Sequence, residues 1–497
     1  MVKVKKTALS LAMAAVMGGA VSSAQAVNLA TDGLGDVLLF PYYTVRNDWN
    51  TLIHLTNTSG IATLAVKVRF QEAWNTRDVL DFTVVLSPND VWTGYVAQTA
   101  SGPRFLSSSS ETTCTSPIMP SDGFQFSSFG YPGDDISRAV EGHITVIEMG
   151  HALNGTAIDA AAKAKNCTAV DQAFLRANID ATSNQFGEPI NALKGQYSLV
   201  RIDAGLALGG VPVTLANFFT PGLDYTNNVV DGATGAAANG FAANFGVTNL
   251  ISAQEYPDFL IPTLNDANPT VSLVQNDTQI TAQSTVTDTW TRPIDAVSAV
   301  LMRSNVMNEW SINPNLGVES YWVVSFPTKF HYVDADAQPT AAEITQIGAG
   351  NAAYVGGTSR APFTTLWTET NRSCDIVVFN VWDRSEGGVR SSGTSISPAP
   401  PVPPSSLCNE VNVLSFSPTA NLLGSAVAQS VDVNGLISGE PYGWLNLALP
   451  NGQLTGSANT YTGLPTTGFT LWIRDFGGDR TRNYGHAVDH AYLRNIQ

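Results

Sequence analysis

Short runs in which apolar and polar residues alternate occur throughout the first 200 residues. In Ala65–Phe70 (AVKVRF), apolar side chains alternate with Lys67 and Arg69. This period-two pattern is that of a β-strand with two different faces. Residues typical of turns separate the runs, as they do in antiparallel sandwiches. The pattern predicts strands at 36–45, 50–57, 65–70, 79–86, 91–97, 142–149 and 196–204.

The C-terminal part of the chain repeats the pattern with more aromatic residues. Glu319–Phe326 (ESYWVVSF) and Cys374–Trp382 (CDIVVFNVW) are the strongest examples. β-branched and aromatic residues are enriched in strands. This part therefore predicts a second set of strands, at 319–326, 374–382, 410–416, 442–449 and 468–475.

The middle of the chain interrupts the strand pattern. Ala157–Ala181 is rich in alanine and predicts one or two helices with a break near Asn166–Thr168. Residues 209–284 predict long loops, and Pro293–Met302 predicts a further helix. Ser397–Leu407 (SPAPPVPPSSL) favours extended polyproline geometry.

These elements predict a mainly β fold of immunoglobulin-like antiparallel β-sandwich regions with a helical insertion and long loops. One large sandwich, to which both halves contribute strands, is the alternative. The predicted organisation is a signal peptide at 1–26, an N-terminal β-sandwich region at 27–205 with a helical insertion at 157–181, a loop-rich and helical connecting region at 206–310, and a C-terminal β-sandwich region at 311–497.

The N-terminus has the three parts of a secretory signal peptide. Three lysines within the first six residues precede the apolar run Leu9–Val21, and Ala24–Ala26 forms an A-x-A cleavage site. The mature chain is expected to start near Val27 and to contain no transmembrane segment. We expect an extracellular or outer cell-surface location, with the periplasm as the less favoured alternative.

Charge excludes some partners. The chain has 25 basic and 41 acidic residues. Removal of three signal-peptide lysines leaves 22 basic residues and a net charge of −19. Such a surface repels nucleic acid and can attract divalent cations.

An even number of cysteines in an exported chain predicts disulfides. The cysteines are Cys114, Cys167, Cys374 and Cys408. Proximity along the chain favours Cys114–Cys167 and Cys374–Cys408, although three pairings are formally possible. Zinc binding is the competing interpretation, but no C-x-x-C motif or neighbouring Cys/His pair supports it.

The sequence has few candidates for catalysis. It contains neither G-x-S-x-G nor H-E-x-x-H. His143 and His151 would lie roughly 26 Å apart on one strand, too far to share a metal ion. Carboxylates beside an aromatic residue are typical of glycosidases, and Glu72, Asp78 and Asp81 follow that pattern beside Trp74. A polar strand edge with a solvated turn also explains them.

Calcium is the cofactor that the sequence favours. Asp32 and Asp36 flank a glycine-containing turn near the start of the mature chain, and Asp475 and Asp479 flank another near its end. Hard oxygen ligands on a turn suit Ca²⁺, although ordinary Gly/Asp turns look the same. The ten tryptophans are expected to be mainly core residues, with some available to stack on glycans.

The block 35–97 resembles uncharacterised exported surface proteins of Gram-negative bacteria. The resemblance is carried by Gly35–Tyr43 (GDVLLFPYY), Leu55–Ser59 (LTNTS), Val66–Phe70 (VKVRF) and Leu86–Trp92 (LSPNDVW), with Gly463–Phe469 (GLPTTGF) near the end. It implies a cell-surface or extracellular location and no reaction.

These observations predict a non-enzymatic structural or adhesive protein of the cell surface or extracellular matrix, such as a surface-layer or filament subunit. Self-association would use edge strands or the segment Val27–Leu34. The alternative is a secreted protein that binds or cleaves carbohydrate, with surface glycans as partners. A periplasmic carrier of a small ligand is less consistent with the pattern, because alternating βαβ units are absent.

Overall fold

The structure is a computed structural model. The residues it describes are 26–127, 136–175, 178, 185–218, 266–267, 270–275, 279–290, 293–333, 361–365, 373–385, 388–390, 405–416, 422–431, 433, 441–476 and 479–497. Residues 1–25 of the predicted signal peptide and 397–404 of the proline-rich run lie outside them, as do 219–265 of the predicted loop region.

The fold is mainly β, as the alternating pattern predicts. The first half contains fourteen described strands. They are β1 (Asn28–Leu29), β2 (Val37–Thr44), β3 (Asn50–Asn57), β4 (Thr63–Glu72), β5 (Asp78–Leu86), β6 (Val91–Thr99), β7 (Gly102–Leu106), β8 (Cys114–Ser116), β9 (Phe124–Gln125), β10 (Glu141–Ala152), β11 (Phe186–Gly187), β12 (Leu193–Arg201), β13 (Leu206–Gly210) and β14 (Val213–Ala216).

The remaining described strands continue to the C-terminus. They are β15 (Asp266–Ala267), β16 (Thr270–Gln275), β17 (Gln279–Thr285), β18 (Asp288–Thr289), β19 (Met302–Arg303), β20 (Asn305–Ser311), β21 (Val318–Ser325), β22 (Asp375–Asp383), β23 (Gly388–Arg390), β24 (Ser405–Leu407), β25 (Val411–Ser415), β26 (Ala428–Ser430), β27 (Tyr442–Ala448), β28 (Gln453–Thr455), β29 (Thr460–Thr462), β30 (Leu464–Pro465), β31 (Thr467–Arg474), β32 (Tyr484–Asp489), β33 (Ala491–Leu493) and β34 (Asn495–Ile496).

Helices are few and short among the described residues. They are α1 (Ala157–Lys163), α2 (Cys167–Phe174), α3 (Pro293–Leu301) and α4 (Phe330–Val333), with 3₁₀ turns at Arg46–Asp48, Ile136–Val140, Pro314–Leu316 and Arg480–Arg482. None of the helices in this part of the chain has the length and apolarity needed to cross a membrane.

Four large sheets contain most of the strands. Sheet I has the order β1-β14-β2-β10-β4-β5-β8 with β11 beside β10, and sheet II has the order β13-β12-β3-β6-β7-β9. Sheet III has the order β23-β22-β27-β20-β33 with β24 beside β22, and sheet IV has the order β26-β25-β21-β31-β32. Pairing is antiparallel throughout these sheets except between β25 and β26.

Sheet IV contributes to two hydrophobic cores, one on each of its faces. On β21, Tyr321 and Val323 belong to a core that also contains Phe40 of sheet I and Ile53 of sheet II. The residues that alternate with them along the same strand, such as Trp322, belong to a second core with sheet III and α3. Both cores therefore contain residues from both halves of the chain.

The predicted helical insertion consists of two helices, as expected. Asn166 begins α2 because its side-chain oxygen accepts a hydrogen bond from the amide of Ala169 at 3.2 Å, an N-cap. The apolar face of the pair packs with Met149 and Ala65 of sheet I in a small third core. The disulfide Cys114–Cys167 ties α2 to β8.

The second disulfide, Cys374–Cys408, joins the segments that carry β22 and β24. The structure thus contains both pairs that sequence proximity favours, and the described residues include no free cysteine. Strand β14 and the hairpin β16–β17 lie within the region expected to form loops. Alternating runs this short do not stand out among Gly-, Asn- and Thr-rich neighbours.

Candidate functional site

A surface groove of about 650 Å³ lies where the edges of sheets III and IV meet. We call it the aromatic groove. It is lined by two tryptophans, a histidine, two carboxylates and smaller side chains: Met307, Asn308, Glu309, Trp444, Trp472, His486, Val488, Asp489 and Ala491.

One wall of the groove belongs to a row of side chains across three neighbouring strands of sheet III, of which Trp444 and Glu309 line the groove. Trp382, Trp444 and Glu309 are directly opposite one another on β22, β27 and β20. The two indole rings stack with centroids 4.1 Å apart and planes 10° apart. Trp444 remains 39% exposed, because the alternation of the strand turns Leu445 to the core and Trp444 to the surface.

The other wall comes from sheet IV, where Trp472 of β31 is paired with His486 of β32. Their rings are nearly parallel, with planes 9° apart and centroids 6.0 Å apart. Asn308 ties the two walls together, because its amide donates to the carbonyl oxygens of Val488 and Asp489 at 3.3 and 3.2 Å. The groove is thus built on paired strands rather than on loops.

The groove is polar as well as aromatic. Glu309 and Asp489 contribute carboxylates, and Asn308 and His486 contribute further hydrogen-bonding groups. Partial removal from water raises the pKa of Asp489 above its usual value. Exposed rings can stack on the apolar face of a sugar, and the hydrogen-bonding groups around them can bind its hydroxyl groups.

The tryptophans fall into two groups. Five are buried, as expected for core residues: Trp49, Trp92, Trp290, Trp310 and Trp322. Trp74, Trp382, Trp444 and Trp472 are partly or largely exposed, and Trp367 lies outside the described residues. The alternating pattern of β27 contains the signal for Trp444, since Leu445 and Leu447 mark the inward phase.

The carboxylates expected to resemble a glycosidase pair are engaged elsewhere. Glu72 is fully buried and accepts hydrogen bonds from the amides of Trp74 and Asn75 at 2.9 and 2.7 Å. Asp78 and Asp81 form ion pairs with the buried Arg69 and Lys67, respectively. These groups therefore hold the β4–β5 hairpin together, and Trp74 lies under Arg138 rather than in a cleft.

The histidines of β10 do not converge, as their spacing indicates. His143 is buried on the face shared with Arg69, and burial and then the charges of Arg69 and His331 lower its pKa to about 3. His151 contacts the carbonyl oxygen of Glu188 at 2.5 Å. Within the described residues, no three His, Cys, Asp or Glu side chains are grouped so as to hold a metal ion.

Three of the four aspartates predicted to bind calcium make local hydrogen bonds. Asp32 accepts from the amide of Leu34 at 3.0 Å, and Asp479 accepts from the amide and hydroxyl of Thr481. Asp475 accepts from the side-chain amide of Asn483 at 3.0 Å. These hydrogen bonds use oxygens of the carboxylates that were expected to bind calcium, and calcium binding there stays a prediction.

Asp36 differs from the other three because it is buried. Its carboxylate accepts from the amides of Asn191 and Phe218 at 2.8 and 3.1 Å. The fully buried Glu148 lies close by and accepts from the amide of Ile190 at 2.9 Å. Burial, and then the charge of Asp36, raise the pKa of Glu148 well above its usual range.

Comparison of the chain with models of protein families, with curated proteins and with solved structures finds no match.

Proposed function

We propose that this protein is an exported, non-enzymatic adhesive protein of the cell surface that binds glycans in the aromatic groove. The observation that supports glycan binding most directly is the stacked pair Trp382–Trp444 beside Glu309. Export rests on the signal-peptide pattern and on the resemblance described for block 35–97.

Aromatic side chains exposed on a rigid sheet favour binding of a flat, partly apolar ligand. The hydrophobic effect favours burial of Trp444, which the fold leaves 39% exposed. Its partner ring fixes its orientation, so that little side-chain entropy is lost when a ligand stacks on it. Nearby Asn, His and carboxylate groups match the hydroxyl groups of a sugar.

The environment of the N-terminal carboxylates disfavours glycan cleavage at the β4–β5 hairpin. Glu72, Asp78 and Asp81 each already have cationic partners. A hydrolase at that hairpin would need one carboxyl group free to protonate the leaving group. The groove, and not the hairpin, is therefore the site to test.

A glycan array, followed by calorimetry on the best ligand, tests the proposal. Trp444→Ala should weaken binding by about tenfold or more, because it removes a central aromatic contact. Tyr95→Ala is the matched control, since Tyr95 is 37% exposed on sheet II, away from the groove. Absence of glycan binding, or equal affinities for the Trp444→Ala variant and the wild type, would refute the assignment.

Self-association is a second candidate, and the position of β1 favours it. Strand β1 pairs with β14 through only two residues, Asn28 opposite Ala216 and Leu29 opposite Leu215. The adjacent Val27 is fully buried in the core shared with sheet III. A short edge strand that carries an apolar anchor can be exchanged between copies of a chain.

Cysteines at Asn28 and Ala216 would test exchange by locking β1 onto its own β14. The locked variant should stay monomeric under conditions in which the wild type forms filaments or sheets. Reduction is not used to reverse the lock, because it would also break Cys114–Cys167 and Cys374–Cys408. A single Asn28→Cys variant is the control. Assembly of the oxidised, locked protein would exclude exchange of β1 as the mechanism.

A further inference from the structure

A second concave site lies between the two halves of the chain. This junction cavity has a volume of about 440 Å³, within the ~300–1,000 Å³ typical of ligand pockets. Its walls come from the segment that includes β1, from β12 and β14, and from β19, β31 and the β32–β33 turn. Valines and prolines cover much of the lining.

Two buried arginines lie at this junction. Arg303 lines the cavity and is 5% exposed, and its guanidinium carbon lies 3.6 Å from the ring centroid of Tyr492. Arg494 is also 5% exposed, with its guanidinium 5.7 Å from the same ring. Neither arginine forms an ion pair with a carboxylate of the described residues.

Backbone carbonyl groups at the end of α3 balance part of the positive charge of the two arginines. Nη1 of Arg303 donates to the carbonyl oxygens of Val300 and Met302 at 3.2 and 2.9 Å, and Nη2 of Arg494 also donates to Val300. These carbonyls end α3, where the helix dipole amounts to about half a negative charge. Two guanidinium groups exceed that charge.

A further donor at the junction has no partner. Among the residues that the structure describes, the hydroxyl of Thr467 makes no hydrogen bond, whereas Arg494 also interacts with the hydroxyl of Tyr492. Thr467 is 5% exposed and, like Arg303, lines the cavity. An unpaired buried polar group costs about 1–3 kcal/mol, and a ligand with acceptor atoms at Thr467 would remove that cost there.

Electrostatics favours a singly charged anion. Burial and then the neighbouring Arg494 lower the pKa of Arg303, and burial lowers the pKa of Arg494, while Tyr492 opposes both shifts. The exposed Lys194 adds a positive charge to the lining, but Asp32 and Asp489 add two negative charges at its rim. A dianion would be repelled by these aspartates more strongly than a monoanion.

We propose that the junction cavity binds a small organic monocarboxylate, with its carboxylate on Arg303 and Thr467 and its apolar body against the valines and prolines. This site is separate from the proposed glycan groove, although Asp489 borders both. If the junction cavity binds no monocarboxylate, the glycan proposal is unaffected. If the groove binds no glycan, the proposal for the junction cavity is unaffected.

Calorimetry on the full protein, with hexanoate and benzoate as probes, tests the site. Both should bind with one-to-one stoichiometry, whereas hexanamide, which has the same shape without the charge, should not. Arg303→Gln should weaken binding about 10- to 100-fold, as expected for loss of a hydrogen bond to a charged group. Arg482→Gln, an exposed arginine outside the cavity lining, is the matched control.

Thr467→Val provides a test that does not depend on the fold tolerating loss of Arg303. Valine has nearly the same shape, and the hydroxyl that it replaces has no partner among the described residues. This variant should fold as well as the wild type and bind hexanoate about five- to tenfold more weakly. Equal binding of hexanamide, unchanged affinity in Thr467→Val, or no binding at ~10 mM probe would overturn the proposal. Binding of sulfate or phosphate in preference to hexanoate would do the same.

Discussion

Replacement of Glu148 by glutamine should make the protein more stable at neutral pH and less sensitive to pH. Glu148 is fully buried beside the buried Asp36, and one of its oxygens, Oε2, has no hydrogen-bond partner among the described residues. Burial, and then the charge of Asp36, raise the pKa of the Glu148 carboxyl. Glutamine keeps an oxygen for the amide of Ile190, which donates to Glu148 at 2.9 Å.

The sign follows from proton binding. A glutamate in the unfolded chain loses its proton near pH ~4.3, whereas Glu148 in the folded protein keeps its proton to higher pH. Between these two pKa values the folded state binds one proton more than the unfolded state. The free energy of unfolding therefore falls by about 1.4 kcal/mol for each pH unit as pH rises through this window.

Urea unfolding at intervals between pH 4.5 and pH 8 (about the range in which most proteins are stable) measures this slope. Glu148→Gln should remove one proton's contribution and exceed the wild type in stability at pH 7. Glu309→Gln, at an exposed groove position, should leave the slope unchanged. If Glu148→Gln kept the wild-type slope, or were less stable than the wild type at pH 7, the argument for a buried proton would be wrong.

Three further predictions concern other parts of the fold. Phe70→Ala should lower the free energy of unfolding, measured in urea, by about 3–5 kcal/mol, because Phe70 is fully buried and contacts four aromatic rings. The control Ile61→Ala, at an 82% exposed position, should change it by about 0.5 kcal/mol or less. Cys167→Ser should cost ~2–5 kcal/mol and speed hydrogen exchange first in α2, and uniform exchange across the protein would contradict this. Calcium binding at the C-terminal Gly/Asp turn predicts a rise in Tm with added Ca²⁺. Asp479→Ala should abolish this rise, and an unchanged wild-type Tm would contradict the predicted calcium site.

The sequence predicts the positions of the strands better than it predicts what packs against their faces. The predicted strand 50–57 coincides with β3, and the predicted break in the helical insertion lies where α1 ends and α2 begins. The alternation in β4 correctly separates Phe70 from Lys67 and Arg69, yet all three are buried. Period two specifies which residues share a face, but not what packs against that face.

The candidate site was harder to predict for the same reason. Trp322 and Trp444 both occur in apolar-rich strands, but Trp322 lies in the core between two sheets and Trp444 on the outer face of sheet III. The groove also depends on contact between β20 and β32, which are far apart in sequence and joined through Asn308. Local pattern contains no information about that contact. Likewise, the cationic partners of Asp78 and Asp81 follow from the pairing of β4 with β5.

The shared sheet IV has a consequence for the order in which the chain can fold during synthesis. Strand β31 supplies Phe469 and Leu471 to the core that contains β3 and β4, and Thr467 follows Glu72 by 395 positions. At ~5–20 residues per second, the ribosome needs about 20–80 s to make the intervening chain. Strands β3 and β4 can pair with their neighbours in sheets I and II early, but the part of their core that sheet IV covers must stay exposed until nearly the last strand is made. We expect ribosome-bound chains that stop before Thr467 to be digested by protease within β3 and β4, and chains that extend to Gln497 to be resistant once released.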